Sequence, residues 1–126
     1  MKKIITTLNA PAPIGPYNQA VFVNDTLYLS GQIGLNPHTM ELVEGGVKKE
    51  AEQVMVNLKS VLDAAEMNFD QVVKSSIFLS DMAHFGQVNE VYGSYFNNET
   101  APARETIAVK SLPKNVRVEI SMIAIK

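Results

Sequence analysis

The sequence predicts an α+β domain in which two helices cover one face of a six-stranded sheet. Two observations lead to this prediction: two amphipathic segments with helical spacing, and several short apolar runs separated by turn residues. The 126 residues suit a single domain, and 46% hydrophobic content with 19% charged residues favours a packed core over disorder. The predicted order of elements over residues 1–126 is β-β-β-α-β-α-β-β.

Three strands are predicted in the first part of the chain. Residues 3–7 form a short first strand, and residues 19–23 and 26–33 form the next two. Asn24 and Asp25 both tolerate positive φ, so they suit a tight hairpin between the second and third strands. A stretch with three prolines precedes the second strand, and prolines favour an irregular connection there.

The clearest predicted helix covers residues 46–65. Its apolar residues recur at spacings of three and four, which predicts one buried face. These residues are Val47, Ala51, Val54, Met55, Leu58, Val61, Leu62 and Ala65. The polar residues fall mostly on the other face, and they are Lys48, Lys49, Glu52, Asn57 and Lys59.

The second part of the chain predicts a strand, a helix and two more strands. The strand covers residues 72–80, and the helix covers residues 82–96 with Asp81 as its N-cap. The apolar stripe of this helix consists of Phe85, Val88, Val91, Tyr92, Tyr95 and Phe96. Residues 104–109 and 116–125 form the last strands, with Pro113 in the turn between them.

The last strand is apolar on both faces after Glu119. A strand with one face in water normally alternates between apolar and polar residues. Because two helices can cover only one side of a sheet, another copy of the chain is expected to cover the other side. The sequence therefore predicts a closed homo-oligomer.

Composition argues against several classes of function. The chain has no cysteine, which excludes disulfides, thiolate metal sites and a cysteine nucleophile. Its two histidines have no ligand cluster around them, and there is no phosphate loop or dinucleotide fingerprint, so neither a metal nor a cofactor is predicted. A net charge of −2 without a basic stripe argues against nucleic acid as a partner. No apolar run has membrane-spanning length and no signal peptide is recognised, so a cytoplasmic location is expected.

Arg104 and Glu119 are candidate site residues. If the last two strands form an antiparallel hairpin with Val109 opposite Val116, Arg104 and Glu119 lie on one face as diagonal neighbours, about 7–8 Å apart at the backbone. Glu119 stands in an otherwise apolar strand, where a charge is costly unless it is paired or used. An ordinary cross-strand ion pair is the alternative interpretation.

Gly31 marks a second candidate segment, residues 29–33. A glycine inside a strand often indicates a bulge or a close approach of the backbone to another group. Either feature exposes backbone groups to a ligand, although a bulge without a functional role is the alternative.

Several separated motifs follow one another along the chain. They are residues 12–17, residues 30–33, Asn36-Pro37, Asn89 with Tyr92 and Phe96, residues 102–104, residues 112–114 and residues 116–120. Together they resemble the Rid family of reactive-intermediate deaminases, also called the YjgF family. The resemblance extends from about residue 9 to residue 125.

The resemblance implies a chorismate-mutase-like α+β fold and a barrel-shaped homotrimer with active sites in clefts between subunits. It implies hydrolysis of 2-iminobutanoate and 2-iminopropanoate to 2-oxo acids and ammonia, with no metal or organic cofactor. These imines arise from enamines such as 2-aminoacrylate, which attack pyridoxal-phosphate enzymes. By matching positions, Arg104 holds the substrate carboxylate and Glu119 lies near the attacking water, while Tyr17, Ser30 and Gly31 line the pocket.

Three positions depart from the family pattern. Thr106 stands where many relatives have cysteine, so a thiol role is lost, although its backbone N–H is still available for a carboxylate oxygen. Met40 and Glu66 stand where relatives often have glycine, and they are expected to alter local turns only.

Two other functions remain open at this point. One is a non-catalytic module that senses a small ligand or acts as a chaperone, and the other is an RNA-cleaving inhibitor of translation. The presence of Arg104 argues against the first, because some members of the superfamily lack both the arginine and the deaminase activity. The acidic composition argues against the second.

Overall fold

The computed structural model describes residues 1–126 and confirms the α+β class and the predicted order of elements. The six strands are β1 (Lys3–Ile5), β2 (Ala20–Val23), β3 (Thr26–Gln32), β4 (Val72–Leu79), β5 (Ala103–Ala108) and β6 (Val118–Ile125). The two α-helices are α1 (Val47–Ala64) and α2 (Phe85–Gly93). Both pack on one face of the sheet and contribute to one core of 24 buried residues. None of the helices combines the length and the apolar character that crossing a membrane requires.

The strand order in the sheet is β1-β2-β3-β6-β4-β5. The last strand of the chain, β6, is therefore central and pairs antiparallel with both β3 and β4. Val118, Ile120, Met122 and Ala124 of β6 are at most 2% exposed and lie under the helices. This central position explains why the sequence of β6 is so apolar.

The prediction of a hairpin between the last two strands is wrong. Strand β5 pairs in parallel with β4, and β4 separates β5 from β6. Elements β4, α2 and β5 form a strand–helix–strand unit, which is the usual way to connect parallel neighbours. Because β5 carries Arg104, Glu105 and Thr106, it takes the edge of the sheet, while the apolar β6 takes the centre.

Helix α1 buries all the apolar residues predicted for its stripe. The assignment of Asn57 to the solvent face is wrong, because Asn57 is 0% exposed, as is Glu50. Burying such groups is costly unless they are hydrogen-bonded. Both have backbone partners in segments distant along the chain.

Helix α2 is shorter than the helix predicted from the sequence. Asp81 accepts a hydrogen bond from the N–H of Ala83 at 2.9 Å and caps a 3₁₀ turn at Met82–His84, after which the α-helix begins. Val88, Val91 and Tyr92 are buried as predicted. Tyr95 and Phe96 follow the end of the helix and pack against the ring of Phe69.

Two of the turns that place non-glycine residues at positive φ flank the elements β2 and α1. Asn24 and Asp25, with φ of 48° and 66°, form the predicted hairpin between β2 and β3. Glu66, with φ of 58°, follows the end of α1. Its N–H donates to Asp63 and the N–H of Met67 donates to Leu62, both at 2.9 Å, which is the Schellman arrangement that favours glycine.

Replacing Glu66 by glycine is expected to raise the free energy of unfolding by about 1 kcal/mol, since glycine adopts this backbone conformation without steric cost. Urea unfolding of the two proteins measures the difference. The control is Glu66→Ala, which removes the charge but keeps the Cβ atom. If the alanine variant gains as much stability as the glycine variant, the charge rather than the backbone is responsible.

The sheet face opposite the helices is uncovered in a single chain. It carries large apolar side chains, including Tyr28, Ile107 and Ile125, which are 48%, 44% and 42% exposed. This face, called the open face below, is the one for which the sequence predicts a cover from another copy.

Candidate active site

The guanidinium of Arg104 is held in place by side chains of the helix layer. Arg104 lies on β5 opposite Ser75, so its side chain is on the same sheet face as the helices. Its Nη1 donates to Oδ1 of Asn89 at 2.8 Å. Its Cζ lies 5.0 Å from the ring centroid of Tyr92 and 5.7 Å from that of Phe85, both within cation–π distance. These residues are called the Arg104 site, and they leave most of the guanidinium N–H groups available to a ligand.

Tyr92 is itself fixed from below. Its hydroxyl donates to Oγ of the fully buried Ser75 at 2.9 Å. Burial raises the pKa of Tyr92, so its hydroxyl stays protonated as the donor. The Tyr92 ring beneath Arg104 therefore has little freedom to move. Thr106 lies two residues beyond Arg104 on the same strand face, and its hydroxyl is buried without a hydrogen-bond partner in the chain.

A separate cleft of about 520 Å³ contains the other predicted site residues. Its lining includes Ile14, Tyr17, Ser30, Gly31, Lys114 and Glu119. The structure thus brings together Tyr17, Ser30, Gly31 and Glu119 from three separate parts of the chain. This space is called the Glu119 cleft.

Glu119 packs directly on the backbone of Gly31. A Cβ atom placed on Gly31 would lie 2.1 Å from Oε2 and 2.8 Å from Cδ of Glu119, closer than atoms can approach. The pairing of β3 with β6 shifts register between Leu29 and Gln32, which confirms the predicted bulge. Burial raises the pKa of Glu119 above its ordinary value, because the carboxylate is partly removed from water.

Replacing Gly31 by alanine is expected to lower kcat on the order of 100-fold, because the new methyl group forces the Glu119 carboxyl away from its position. The measurement is steady-state hydrolysis, at 25 °C, of the 2-imino acids that the family resemblance implies as substrates. Gly86→Ala is the matched control, since a Cβ atom there meets nothing within 4 Å and the residue lies in helix α2. Full activity of Gly31→Ala would contradict the idea that this glycine positions Glu119.

Arg104 and Glu119 are not neighbours on one face, so that expectation is wrong. Arg104 aligns with Ser75 and Met122 on the helix side, whereas Glu119 aligns with Phe78 on the open face. From strand spacing and rise, their backbones are about 14 Å apart. The hairpin assumption failed because β4 lies between the two strands. One chain therefore presents the Arg104 site and the Glu119 cleft on opposite sides of its sheet.

Three residues that the structure places in these sites were not predicted as site residues. Asn89 and Phe85 contact Arg104, and Lys114 lines the Glu119 cleft. The spacing of four and three residues between Phe85, Asn89 and Tyr92 puts them on one helix face. This spacing could have identified Phe85 and Asn89 as site residues from the sequence. No group of three His, Cys, Asp or Glu side chains is arranged to hold a metal ion.

Comparison with known proteins gives a consistent result. The model of the family described as Endoribonuclease L-PSP matches residues 7–126. A RutC family protein of Synechocystis is 50% identical over 124 residues, covering 98% of this chain and 95% of that protein. The 2-iminobutanoate/2-iminopropanoate deaminase of Mus musculus is 49% identical over 126 residues, covering 100% of this chain and 93% of that protein.

Solved structures agree with the sequence relatives. The crystal structure of RidA from an Antarctic Psychrobacter species has a TM-score of 0.94 and 44% identity, covering 98% of this chain and 99% of that one. This similarity confirms the chorismate-mutase-like fold that the resemblance implies. The matched length, the identities and the fold together show that this chain belongs to the Rid family, whose family model bears the description Endoribonuclease L-PSP.

Proposed function

We propose that this protein hydrolyses 2-imino acids, with 2-iminobutanoate and 2-iminopropanoate as substrates and 2-oxo acids and ammonia as products. Mammalian relatives that are 45–49% identical bear the name 2-iminobutanoate/2-iminopropanoate deaminase, which supports the proposal. The observation that carries it is Glu119, a half-buried carboxyl with a raised pKa that opens into a cleft. A raised pKa makes the carboxylate a stronger base, which suits it to accept a proton and return it.

The reaction follows from the substrate's chemistry. The Arg104 guanidinium holds the substrate carboxylate through paired hydrogen bonds. Water adds to the carbon of the protonated imine, and Glu119 accepts the proton that the water loses. Glu119 then returns this proton to the amine nitrogen, and the C–N bond breaks to release ammonia. The ammonia takes the hydroxyl proton as the carbonyl forms, so the products are the 2-oxo acid and ammonium. The carbonyl of Gly31, next to Glu119, helps to orient the water.

The working site is proposed to form between copies in a homotrimer. Arg104 and Glu119 lie on opposite sheet faces of one chain, so a small substrate cannot contact both within it. In the proposed homotrimer, Arg104 of one copy lies at the Glu119 cleft of a neighbouring copy. The exposed apolar residues of the open face support packing between copies. Sedimentation is expected to give three times the 13.8 kDa chain mass, and a monomer would contradict the assembly.

A mixing experiment tests whether sites are shared. Arg104→Ala and Glu119→Gln proteins are each inactive in this proposal, but after subunit exchange at equal ratio about one quarter of the sites receive both intact residues. Activity is therefore expected to recover to about one quarter of the wild-type value. No recovery after demonstrated exchange would place both residues in the same subunit's site.

The function itself is tested with threonine dehydratase as the source of the imine. Purified protein is expected to accelerate the release of 2-oxobutanoate beyond the spontaneous rate. A non-catalytic ligand sensor would bind 2-oxobutanoate without this acceleration, and that outcome would overturn the proposal. Protection of a pyridoxal-phosphate enzyme from 2-aminoacrylate, and a cytoplasmic location, are parts of the same proposal.

Cleavage of RNA is the competing function, and the description of the family model names an endoribonuclease. The net charge of −2 weakens it, because RNA binding depends on neutralising phosphates. Incubation of purified RNA with the wild type and with Arg104→Ala separates the two functions. Cleavage that persists in both proteins would not use the proposed imine site.

A further inference from the structure

Apart from Tyr92, five residues with polar side chains are buried in this protein: Gln19, Gln32, Glu50, Asn57 and Ser75. Burying a polar group is unfavourable unless its hydrogen bonds are satisfied, so the partners of such groups indicate what they do. Ser75 fixes Tyr92 beneath Arg104. Three others hydrogen-bond to segments that line or adjoin the Glu119 cleft, which sets them apart from ordinary core residues.

Asn57 of α1 holds the wall that contains Gly31 and Ile33. Its Nδ2 donates to the carbonyl of Ile33 at 3.2 Å and to that of Leu35 at 3.0 Å. Gln53 donates to Oδ1 of Asn57 at 2.8 Å, which fixes the orientation of the amide. The hydrogen bonds from Asn57 to Ile33 and Leu35 hold the irregular segment after β3 against α1.

Glu50 holds the wall that contains Lys114 and Glu119. Its Oε1 accepts from the backbone N–H of Arg117 at 2.9 Å, and its Oε2 accepts from Nη1 of Arg117 at 2.6 Å. The carbonyl of Arg117 accepts from the N–H of Ser80 at 3.0 Å. Arg117 is thus fixed on both sides, two residues before Glu119.

The same helix face serves both of these walls. Glu50 and Asn57 are seven residues apart, which is close to two helical turns. A Cβ atom on Gly34 would lie 2.9 Å from Cα of Glu50, so the segment after β3 lies directly against α1. Helix α1 therefore sets the distance between the two walls.

Gln19 holds the third wall, the loop that carries Ile14 and Tyr17. Its Nε2 lies 3.0 Å from the carbonyl oxygen of Thr7, 3.2 Å from that of Ala10 and 3.0 Å from that of Pro11. Its Oε1 accepts from the N–H of Thr7 at 2.7 Å. One side chain thus organises the proline-rich loop.

We propose that Gln19, Glu50 and Asn57 are positioning residues, each of which fixes one wall of the Glu119 cleft and so places the attacking water. This inference rests on the proposed function for its catalytic part. None of the three contacts the substrate, which Arg104 holds independently. A shift of about 1 Å in a reacting group can cost a large factor in rate, so loosening a wall lowers kcat more than it raises KM.

The test uses three variants of similar size: Gln19→Met, Glu50→Gln and Asn57→Leu. In Glu50→Gln the amide group faces two N–H donors of Arg117 and can accept from only one. The control is Val61→Ala, a fully buried α1 residue that contacts no wall through a polar group and lowers Tm by opening a cavity. If Asn57→Leu does not fold, Asn57→Asp replaces it, since aspartate keeps the size but cannot donate to the carbonyls.

At 25 °C each variant is expected to lose about tenfold in kcat with KM within about twofold of the wild type, whereas Val61→Ala keeps its kcat. Hydrogen exchange measured by mass spectrometry gives a readout independent of activity. Exchange is expected to rise selectively in residues 7–17 for Gln19→Met, in residues 113–119 for Glu50→Gln and in residues 31–35 for Asn57→Leu.

The outcomes separate the two proposals. A wild type that does not hydrolyse imines overturns the proposed function, and the exchange pattern then decides the positioning of the walls alone. An active wild type whose variants lose no more kcat than Val61→Ala overturns this inference. Exchange that rises evenly through the sheet in all three variants also overturns it.

Discussion

Replacing Arg104 by alanine is expected to abolish imine hydrolysis, with kcat/KM falling by about 1,000-fold, while the oligomer stays intact. Two charge-assisted hydrogen bonds to the substrate carboxylate are lost, each worth roughly 1.5–3 kcal/mol. The side chain is partly exposed and packs on Tyr92 and Phe85 rather than in the core, so the fold tolerates its removal. The coupled threonine dehydratase assay measures the loss, and sedimentation checks the assembly.

Two further variants sharpen this prediction. Arg104→Lys keeps the charge but loses the planar pair of donors, so its activity is expected to lie between those of the wild type and Arg104→Ala. Lys126→Ala removes another cation above an aromatic ring, 5.8 Å from the centroid of Phe22, and is expected to leave activity unchanged. Unchanged turnover of Arg104→Ala would remove this residue from the mechanism.

Most of the fold could be predicted because it depends on local patterns. The apolar stripe of α1 and the turn at Asn24 and Asp25 are each specified by neighbouring residues. The position of β6 was not predictable in this way. Alternation along a strand shows which residues share a face, but not which strand lies beside it. The order strand, helix, strand already indicated the parallel pairing of β4 with β5. The prediction of a hairpin between the last two strands did not take this order into account.

The candidate site residues also divide into those that a local sequence pattern identifies and those that only the tertiary structure shows. Gly31 and Glu119 could be found from their own strands, because each is unusual where it stands. The separation of Arg104 from Glu119 depends on β4, which no local pattern around either residue shows. The burial of Glu50 was not predicted, and Asn57 was assigned to the solvent face. Both errors arise because a prediction from helical periodicity treats every polar residue as exposed. The backbone partners of Glu50 and Asn57 lie 67 and 22–24 residues away, so only the tertiary structure shows why they are buried.

Replacing Glu119 by glutamine is expected to lower kcat by about 100- to 1,000-fold with little change in KM, because glutamine cannot accept the proton of the attacking water. Burial raises the pKa of this carboxyl above its ordinary value, so the acid limb of the wild-type kcat/KM profile is expected at higher pH than for an exposed glutamate. Lys114 and Tyr17 are the other titratable side chains of the cleft. Steady-state kinetics across pH measures both effects. A raised KM with an unchanged kcat would make Glu119 a binding residue instead.

The same substitution is expected to stabilise the protein at neutral pH. Because the folded-state pKa of Glu119 lies above the unfolded value, the carboxyl favours folding only while it is protonated. That contribution is complete below the unfolded pKa and is lost as the pH rises through the folded pKa. Glu119→Gln therefore gains stability over the wild type at pH 7, and the gain disappears as the pH falls towards 4. Urea unfolding at several pH values measures the difference, and a gain independent of pH would mean that the ionised carboxylate is not held at a cost to the fold.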